Sequence, residues 1–149
     1  MIRVLPPPVW ALIFLAACYG ASLLPVFQAL PSIGDKRLGI VIAAAALAAL
    51  FLALLHFLLV NTQITPTSPI NNKLVVRGLY RFSRNPMYVC VALFTLGVAL
   101  WFGSPVMLLA PIATFFFIDR VFIPFEEEKM RRQFGAAFDD YVKRVRRWI

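Results

Sequence analysis

The chain has one histidine and two cysteines in 149 residues. His56 stands alone in an apolar run, and no Cys or His cluster has metal-ligand spacing, so no bound metal is expected. A lone histidine there reads as a group hydrogen-bonded to a neighbouring helix. Cys18 and Cys90 both lie in apolar stretches and read as packing thiols, not as a disulfide framework. Charge is scarce as well. Only 15% of residues are charged, and 7 acidic side chains face 15 Lys and Arg. No Walker loop, glycine-rich dinucleotide fingerprint or serine elbow is present, so the chain lacks the signatures of those enzyme classes.

What is abundant is apolar surface. Hydrophobic residues make up 61% of the chain, and the mean hydropathy is +0.80. A soluble domain of this size does not hide that much. The length fits one unit over residues 1–149. The net charge of +8 suits an anionic surface, and at this hydropathy membrane lipid is the expected partner, not nucleic acid.

Four apolar stretches predict an all-α integral membrane fold with four transmembrane helices. The first covers about 9–30, with Pro25 as an expected kink. Its Arg3 and apolar core resemble a signal peptide. Pro6-Pro7-Pro8 and the lack of a small-residue cleavage site favour a retained span. The second covers about 38–60 and includes Ala43–Ala46, small residues that let helices approach closely. The third, about 87–102, is short, roughly 24 Å at 1.5 Å per residue. The fourth, about 106–123, follows after Gly103-Ser104-Pro105, so the last two form a tight antiparallel hairpin.

Four spans put both termini on one side. Every Lys and Arg except Lys36 and Arg37 then collects there. The positive-inside bias makes that side the cytoplasm and the membrane the inner one. The loop 61–86 is polar and rich in turn formers, among them Pro66, Pro69, Asn71 and Asn72. The tail 125–148 reads as an amphipathic helix, with Phe134, Phe138, Tyr141, Val142, Val145 and Trp148 at helical spacing among many cations. Such a helix either lies on anionic lipid or folds back over the hairpin.

The chemistry concentrates in two polar phrases. In Arg84-Asn85-Pro86, proline suits the first helical position and asparagine the N-cap. The positive end of the third span then favours an anion such as a carboxylate, with Arg84 adding a charge-assisted contact. Tyr88, one turn on, offers a ring or a hydroxyl. The plain alternative is a capped helix whose arginines snorkel to lipid phosphates. The second phrase is Glu126-Glu127-Glu128. Three glutamates beside a basic tail normally form a solvated face. The hairpin, however, returns the chain to the side it left and brings them near Arg84 and Asn85. A pocket with one cationic and one anionic end suits a zwitterionic amino-acid ligand. Asp119 and Arg120 sit at the hydrocarbon edge, where ionisable groups are costly unless paired or functional.

The set Gly78-Leu79-Tyr80…Arg84-Asn85-Pro86-Met87-Tyr88, then Glu126-Glu127-x-x-Met130, then Phe134-Gly135…Tyr141…Val145 resembles the isoprenylcysteine carboxyl methyltransferase and phospholipid methyltransferase superfamily. The likeness runs from about Thr65 to Trp148. The first two spans match only in hydropathy and in the proline-rich start. The resemblance implies S-adenosylmethionine as methyl donor, with S-adenosylhomocysteine as product. It implies that Tyr80, Arg84, Asn85, Pro86, Tyr88, Glu126 and Glu127 enclose the donor and that the C-terminal segment covers it. Arg120 matches an arginine that holds the acceptor. Asn85 stands where histidine is usual, so an acid–base role is excluded there. Cys90 replaces a glycine often found after the tyrosine.

A lipidic or prenylated acceptor would slide in between spans while the donor enters from the cytoplasm. Catalysis would then rest on positioning and exclusion of water. A carboxylate acceptor needs orientation but no base, which suits Arg120 or Arg81. An amine acceptor must lose a proton, which suits Glu127. The expected catalytic residues are therefore Arg120 and Glu127, with Arg81 and Arg120 on the acceptor. The motif set lies closer to the carboxyl methyltransferase branch. The alternatives are a phospholipid or amine N-methyltransferase, and a small membrane scaffold without activity. Distant relatives that reduce sterols with a nicotinamide cofactor are much larger.

Overall fold

The computed structural model describes residues 5–59 and 74–149, with backbone alone over 56–59. Arg3, the His56 side chain, the end of the second expected span and the loop up to residue 73 lie outside the described residues. The described residues are helical throughout, with no strand among them. The helices are α1 (Pro7–Ser22), α2 (Pro25–Gln28), α3 (Lys36–Leu59), α4 (Pro86–Phe102), α5 (Leu109–Phe117), α6 (Ile123–Phe134) and α7 (Ala136–Arg144).

Two of these stretches are long and apolar enough to cross a bilayer: α3, and one continuous helix of 30 residues from Pro105 to Phe134 that contains α5 and α6. Pro7–Ser22 and Pro86–Phe102 are apolar but shorter.

The first expected span differs from expectation. Pro25 does not kink it but ends it. Proline has no N–H, and its ring clashes with the carbonyl four residues back. Accordingly α1 stops at Ser22, and Pro25 opens a separate single turn, α2. At the start of α3, the Asp35 carboxylate accepts hydrogen bonds from the N–H groups of Arg37 (2.8 Å) and Leu38 (3.0 Å). This is an N-cap that satisfies two orphan donors.

Helix α3 is packed inside out. Its buried side chains among those described are Ala46 and Ala53, whereas Leu38, Ile40, Val41, Leu47, Phe51 and Leu52 point outward. In water this arrangement has no driving force. In lipid, close packing of small residues joins helices and large apolar side chains meet acyl chains. The α3–α4 contact shows that device. A Cβ on Gly39 would lie 2.6 Å from both the Gly97 carbonyl oxygen and the Trp101 nitrogen, and one on Gly97 would lie 2.6 Å from the Ala43 nitrogen.

The turn from α4 to the long helix is fixed by Gly103. Its φ of 78° is left-handed, and its N–H closes α4 onto the Ala99 carbonyl at 3.0 Å. Its own carbonyl accepts the Ile33 N–H at 2.9 Å and the Ser32 hydroxyl at 3.2 Å. The expected hairpin is therefore present and is pinned to the chain that precedes α3. Behind it, α1 packs on α4 and α5 through Leu15, Ala99, Met107 and Ala110. A second cluster of Ala11, Val91, Ile118 and Ile123 carries Tyr88 and Trp148 on its edge.

The tail also differs from expectation. It is not one amphipathic helix over 125–148. Its first part, α6, continues the long helix. Gly135, with φ 50° and ψ −126°, then breaks the chain before α7. Beyond Arg144 the chain is extended, with Val145 at φ −124° and ψ 131°. The apolar face of α7 is buried, with Phe138 and Tyr141 each 4% exposed. Of the two dispositions open from sequence, the tail takes the fold-back.

Gly39→Ala is expected to destabilise the protein by about 1–3 kcal/mol or more, because backbone atoms stand where the methyl must go. Gly20→Ala, with nothing within 4 Å of its Cβ, should instead gain a few tenths to about 1 kcal/mol from helix propensity. Thermal unfolding in detergent, compared for the two variants, checks both signs.

Candidate functional site

The site begins at the turn that enters α4. Residues Gly78–Arg81 form a 3-10 turn in which Tyr80 is buried. The Tyr80 carbonyl accepts the Tyr141 hydroxyl at 2.6 Å, which ties α7 to this turn. Burial pushes the Tyr80 hydroxyl far above its ordinary range. Burial also lifts Tyr141, to about 12, against a downward pull from Arg84.

Pro86 opens α4 as expected, with Asn85 at the N-cap position. The Asn85 side chain, however, does not cap the helix. Its amide donates instead to the Arg147 carbonyl at 3.0 Å. The Ser83 hydroxyl donates to the same carbonyl at 3.4 Å, and the Arg84 N–H donates to the Arg146 carbonyl at 3.0 Å. The expected anion place at this helix end is thus lined by the backbone of the tail.

The acidic cluster divides. The Tyr88 hydroxyl donates to Glu126 Oε1 at 2.5 Å. Glu127 Oε1 meets Arg84 Nη2 at 3.1 Å, with those side chains 15% and 11% exposed. Glu128 is half exposed and pairs, among the described residues, with Arg132 (2.8 Å) and Arg131 (3.8 Å), a solvated face. The two phrases that the hairpin was expected to unite therefore touch at one end of the bundle.

Glu127 has a second partner that sequence reading missed. Arg147 donates from Nη2 to Oε2 at 2.8 Å and from Nε to Oε1 at 3.2 Å. Its third nitrogen, Nη1, reaches Asp119 Oδ1 at 3.4 Å. The Glu127 bonds raise the affinity of Arg147 for its proton. The next residue completes the clasp. Trp148 Nε1 donates to Asp119 Oδ1 at 2.9 Å, and its indole stacks on Phe115 with centroids 4.4 Å apart. In the sequence Arg147 belongs to a run of cations and nothing sets it apart. The signal that was available was Asp119, an acid at the edge of an apolar stretch.

Asp119 and Arg120 lie in a π-helical turn, Ile118–Phe122. Pro124 supplies the cause, since it can neither donate to the Arg120 carbonyl nor tolerate it at α-helical distance. Arg120 pairs with Asp119 at 3.5 Å, but its side chain is 78% exposed. It stands outside the Arg84–Glu127–Arg147 group. Arg81 is exposed as well.

Two polar atoms of this group stand out. Arg84 Nε and Nη1 are buried and have no hydrogen-bond partner among the described residues. Orphaned guanidinium donors beside a helix N-terminus fit an anionic oxygen. Among the described residues no group of three His, Cys, Asp or Glu side chains is arranged to hold a metal ion.

Residues 65–137 match the family model described as phospholipid methyltransferase. The chain is 30% identical over 77 residues to protein-S-isoprenylcysteine O-methyltransferase B of Arabidopsis thaliana, covering 50% of this chain and 38% of that one. It is 35% identical over 81 residues to a probable protein-S-isoprenylcysteine O-methyltransferase of Oryza sativa subsp. indica, covering 50% of this chain and 39% of that one. No solved structure matches. Over these residues the chain is similar to the superfamily that unites isoprenylcysteine carboxyl methyltransferases with phospholipid methyltransferases. It spans about two fifths of the length of the curated relatives it matches.

The clasp should behave as one unit. Asp119→Ala and Trp148→Ala are each expected to raise the rate of tryptic cleavage after Arg144 and Arg146 several-fold. The double variant should add little to either, since residues in one network are not additive. Full additivity would show that Asp119 and Trp148 act separately.

Proposed function

We propose that the chain is an S-adenosylmethionine-dependent methyltransferase acting on a lipidic acceptor at the cytoplasmic face of the inner membrane. In this reading one domain crosses the membrane four times, through α1–α2, α3, α4 and the apolar part of the long helix, with both termini cytoplasmic. The short helices α1 and α4, roughly 24–26 Å long, span by thinning the bilayer or starting in its headgroup layer. The observation that carries the reading is the pair of buried donors on Arg84, Nε and Nη1, without a partner among the described residues, on a guanidinium whose Nη2 lies 3.1 Å from Glu127.

The residues present fit the donor. Its carboxylate would take the free donors of Arg84, near the start of α4. Its ammonium or ribose hydroxyls would take Glu126 and Glu127, with Tyr80, Asn85, Pro86 and Tyr88 forming the wall. When bound, S-adenosylmethionine supplies a methyl group on a positively charged sulfur. An ammonium at Glu127 competes with Arg147, which now holds that carboxylate. Exchange of the one cation for the other links donor entry to movement of the tail.

The acceptor is proposed to be a carboxylate on a prenyl-like chain. Both oxygens of Glu127 are already engaged by arginines, so it is badly placed to take a proton from an amine. A carboxylate needs none. Arg120, exposed at the end of the apolar stretch, and Arg81, exposed on the entry turn, are the cations proposed to hold it. The names of the curated relatives support this branch, whereas the description of the matched family model supports transfer to a phospholipid. A labelled-methyl assay against total lipid extract, with the product identified, separates the two branches.

Arg84→Ala should weaken binding of S-adenosylmethionine about 10- to 100-fold in calorimetry, the worth of one charge-assisted contact of about 1.5–3 kcal/mol. Arg146→Ala should change it little, because that residue contributes only its backbone carbonyl. Equal losses would disprove the anion site, and no heat from the intact protein with either S-adenosylmethionine or S-adenosylhomocysteine would favour a scaffold.

Arg120→Ala should lower turnover at least 10-fold while donor affinity stays within about 2-fold, since an acceptor contact is expressed in the transition state. Loss of donor binding would assign Arg120 to the donor instead.

A further inference from the structure

The turn that enters α4 has an exposed edge of which the proposed chemistry uses Arg81 alone. Tyr80 on the 3-10 turn and Ser83 just after it are both buried, at 8% and 4% exposure. Leu79 on the turn and Phe82 at its C-cap are both exposed. Phe82 is 71% exposed, more than all but one of the exposed large apolar side chains described. Val76, three residues before Leu79, is exposed too. Arg77 and Arg81 flank this edge, exposed and without an ion-pair partner among the described residues. One edge of a short turn is thus fastened to the protein, through Tyr80 to Tyr141 and through Ser83 to Arg147. The opposite edge offers an aromatic ring and aliphatic groups between two free guanidiniums.

We propose that this edge is an interfacial anchor that inserts Leu79 and Phe82 into the acyl boundary of an anionic lipid leaflet, with Arg77 and Arg81 on the phosphates. Three observations favour lipid over a protein partner. The edge precedes α4 by only a few residues, and α4 is an apolar helix of a membrane superfamily. Its charge is entirely of the sign that anionic headgroups attract, as is the net charge of +8. Finally, apolar side chains between snorkelling cations are the composition of an in-plane membrane segment. The anchor stands whether or not the methyl-transfer reading does. If both hold, the mouth of the Arg84–Glu127 site is pressed against the leaflet that delivers a lipidic acceptor.

The test places a nitroxide label at Phe82→Cys in the full chain, with Cys18→Ala and Cys90→Ala to remove the native thiols. The protein is reconstituted in phosphatidylcholine bilayers with and without phosphatidylglycerol. Asp140→Cys, on exposed α7, is the aqueous reference. The label at position 82 should collide with oxygen at least 3-fold more, relative to a water-soluble nickel chelate, than the label at 140, and phosphatidylglycerol should increase the difference. Arg77→Gln should reduce that increase. Leu79→Cys gives the same reading from the neighbouring side chain if the first variant fails to fold. The proposal is overturned by equal accessibility at 82 and 140, which marks a water-facing edge. Protection from both colliders, which marks a protein partner, overturns it as well. A phosphatidylglycerol effect undiminished by Arg77→Gln removes the charge half of the proposal.

Discussion

The carboxylate of Glu127 holds this molecule together at its polar end. Arg84 reaches it from the entry of α4, and Arg147 reaches it from the last residues of the chain. Arg84 and Glu127 are mostly buried, which decides the weight of their pair, whereas Arg147 is 37% exposed and its bonds count for less. An exposed ion pair contributes about 0–1 kcal/mol, whereas removing one partner of a buried pair leaves an uncompensated charge and costs about 3–5 kcal/mol. Asp119 balances the second cation through its contact with Arg147. The two orphaned donors of Arg84 leave an unmet demand for acceptors among the described residues. An anionic ligand group would meet that demand, so the arrangement that fastens the tail also suits the proposed anion site.

That carboxylate meets Arg84 only because the hairpin sets its two arms at matching heights. The left-handed Gly103 and its bonds to Ser32 and Ile33 fix the turn. The near-contact of Gly39 with Gly97 fixes α4 against α3. Neither uses a large side chain. Lipid gives no reward for burying leucine, so close backbone approach is what specifies the packing. Many leucines and phenylalanines are left to face outward, and the buried ion pairs gather at one end.

The sequence carried the parts that depend on local chemistry or on hydropathy. The apolar helices, the proline start of α4, the hairpin and the meeting of Arg84 with the glutamates could all be read from it. What could not be read depends on competition between partners. Asn85 is a good cap in isolation, but the Arg147 carbonyl takes its amide, a contact 62 residues away in the chain. The break at Gly135 and the fold-back of α7 were hidden because a continuous amphipathic pattern fits lipid and protein equally well. Arg147 was hidden among cations of the same spacing. Pro25 was misjudged because a proline inside an apolar run reads as a kink when the chain is assumed to go on crossing.

The π turn shows how one residue type sets the geometry of the whole clasp. Asp119 and Glu127 are eight residues apart. On a regular α-helix they would diverge by about 80° around the axis, at 3.6 residues per turn. A π turn takes up one extra residue, so the pair behaves like residues seven apart and diverges by only about 20°. Both carboxylates then face the same way, and a single guanidinium spans them, with Nη1 on Asp119 and Nε and Nη2 on Glu127. Pro124 makes the wide turn the favoured one by denying the Arg120 carbonyl its α-helical partner. The tail is therefore held by a register that a proline creates, three residues from the nearer acid it aligns and five from the other. Glu127 and Asp119, which hold Arg147, come to one helix face because that helix is locally not an α-helix.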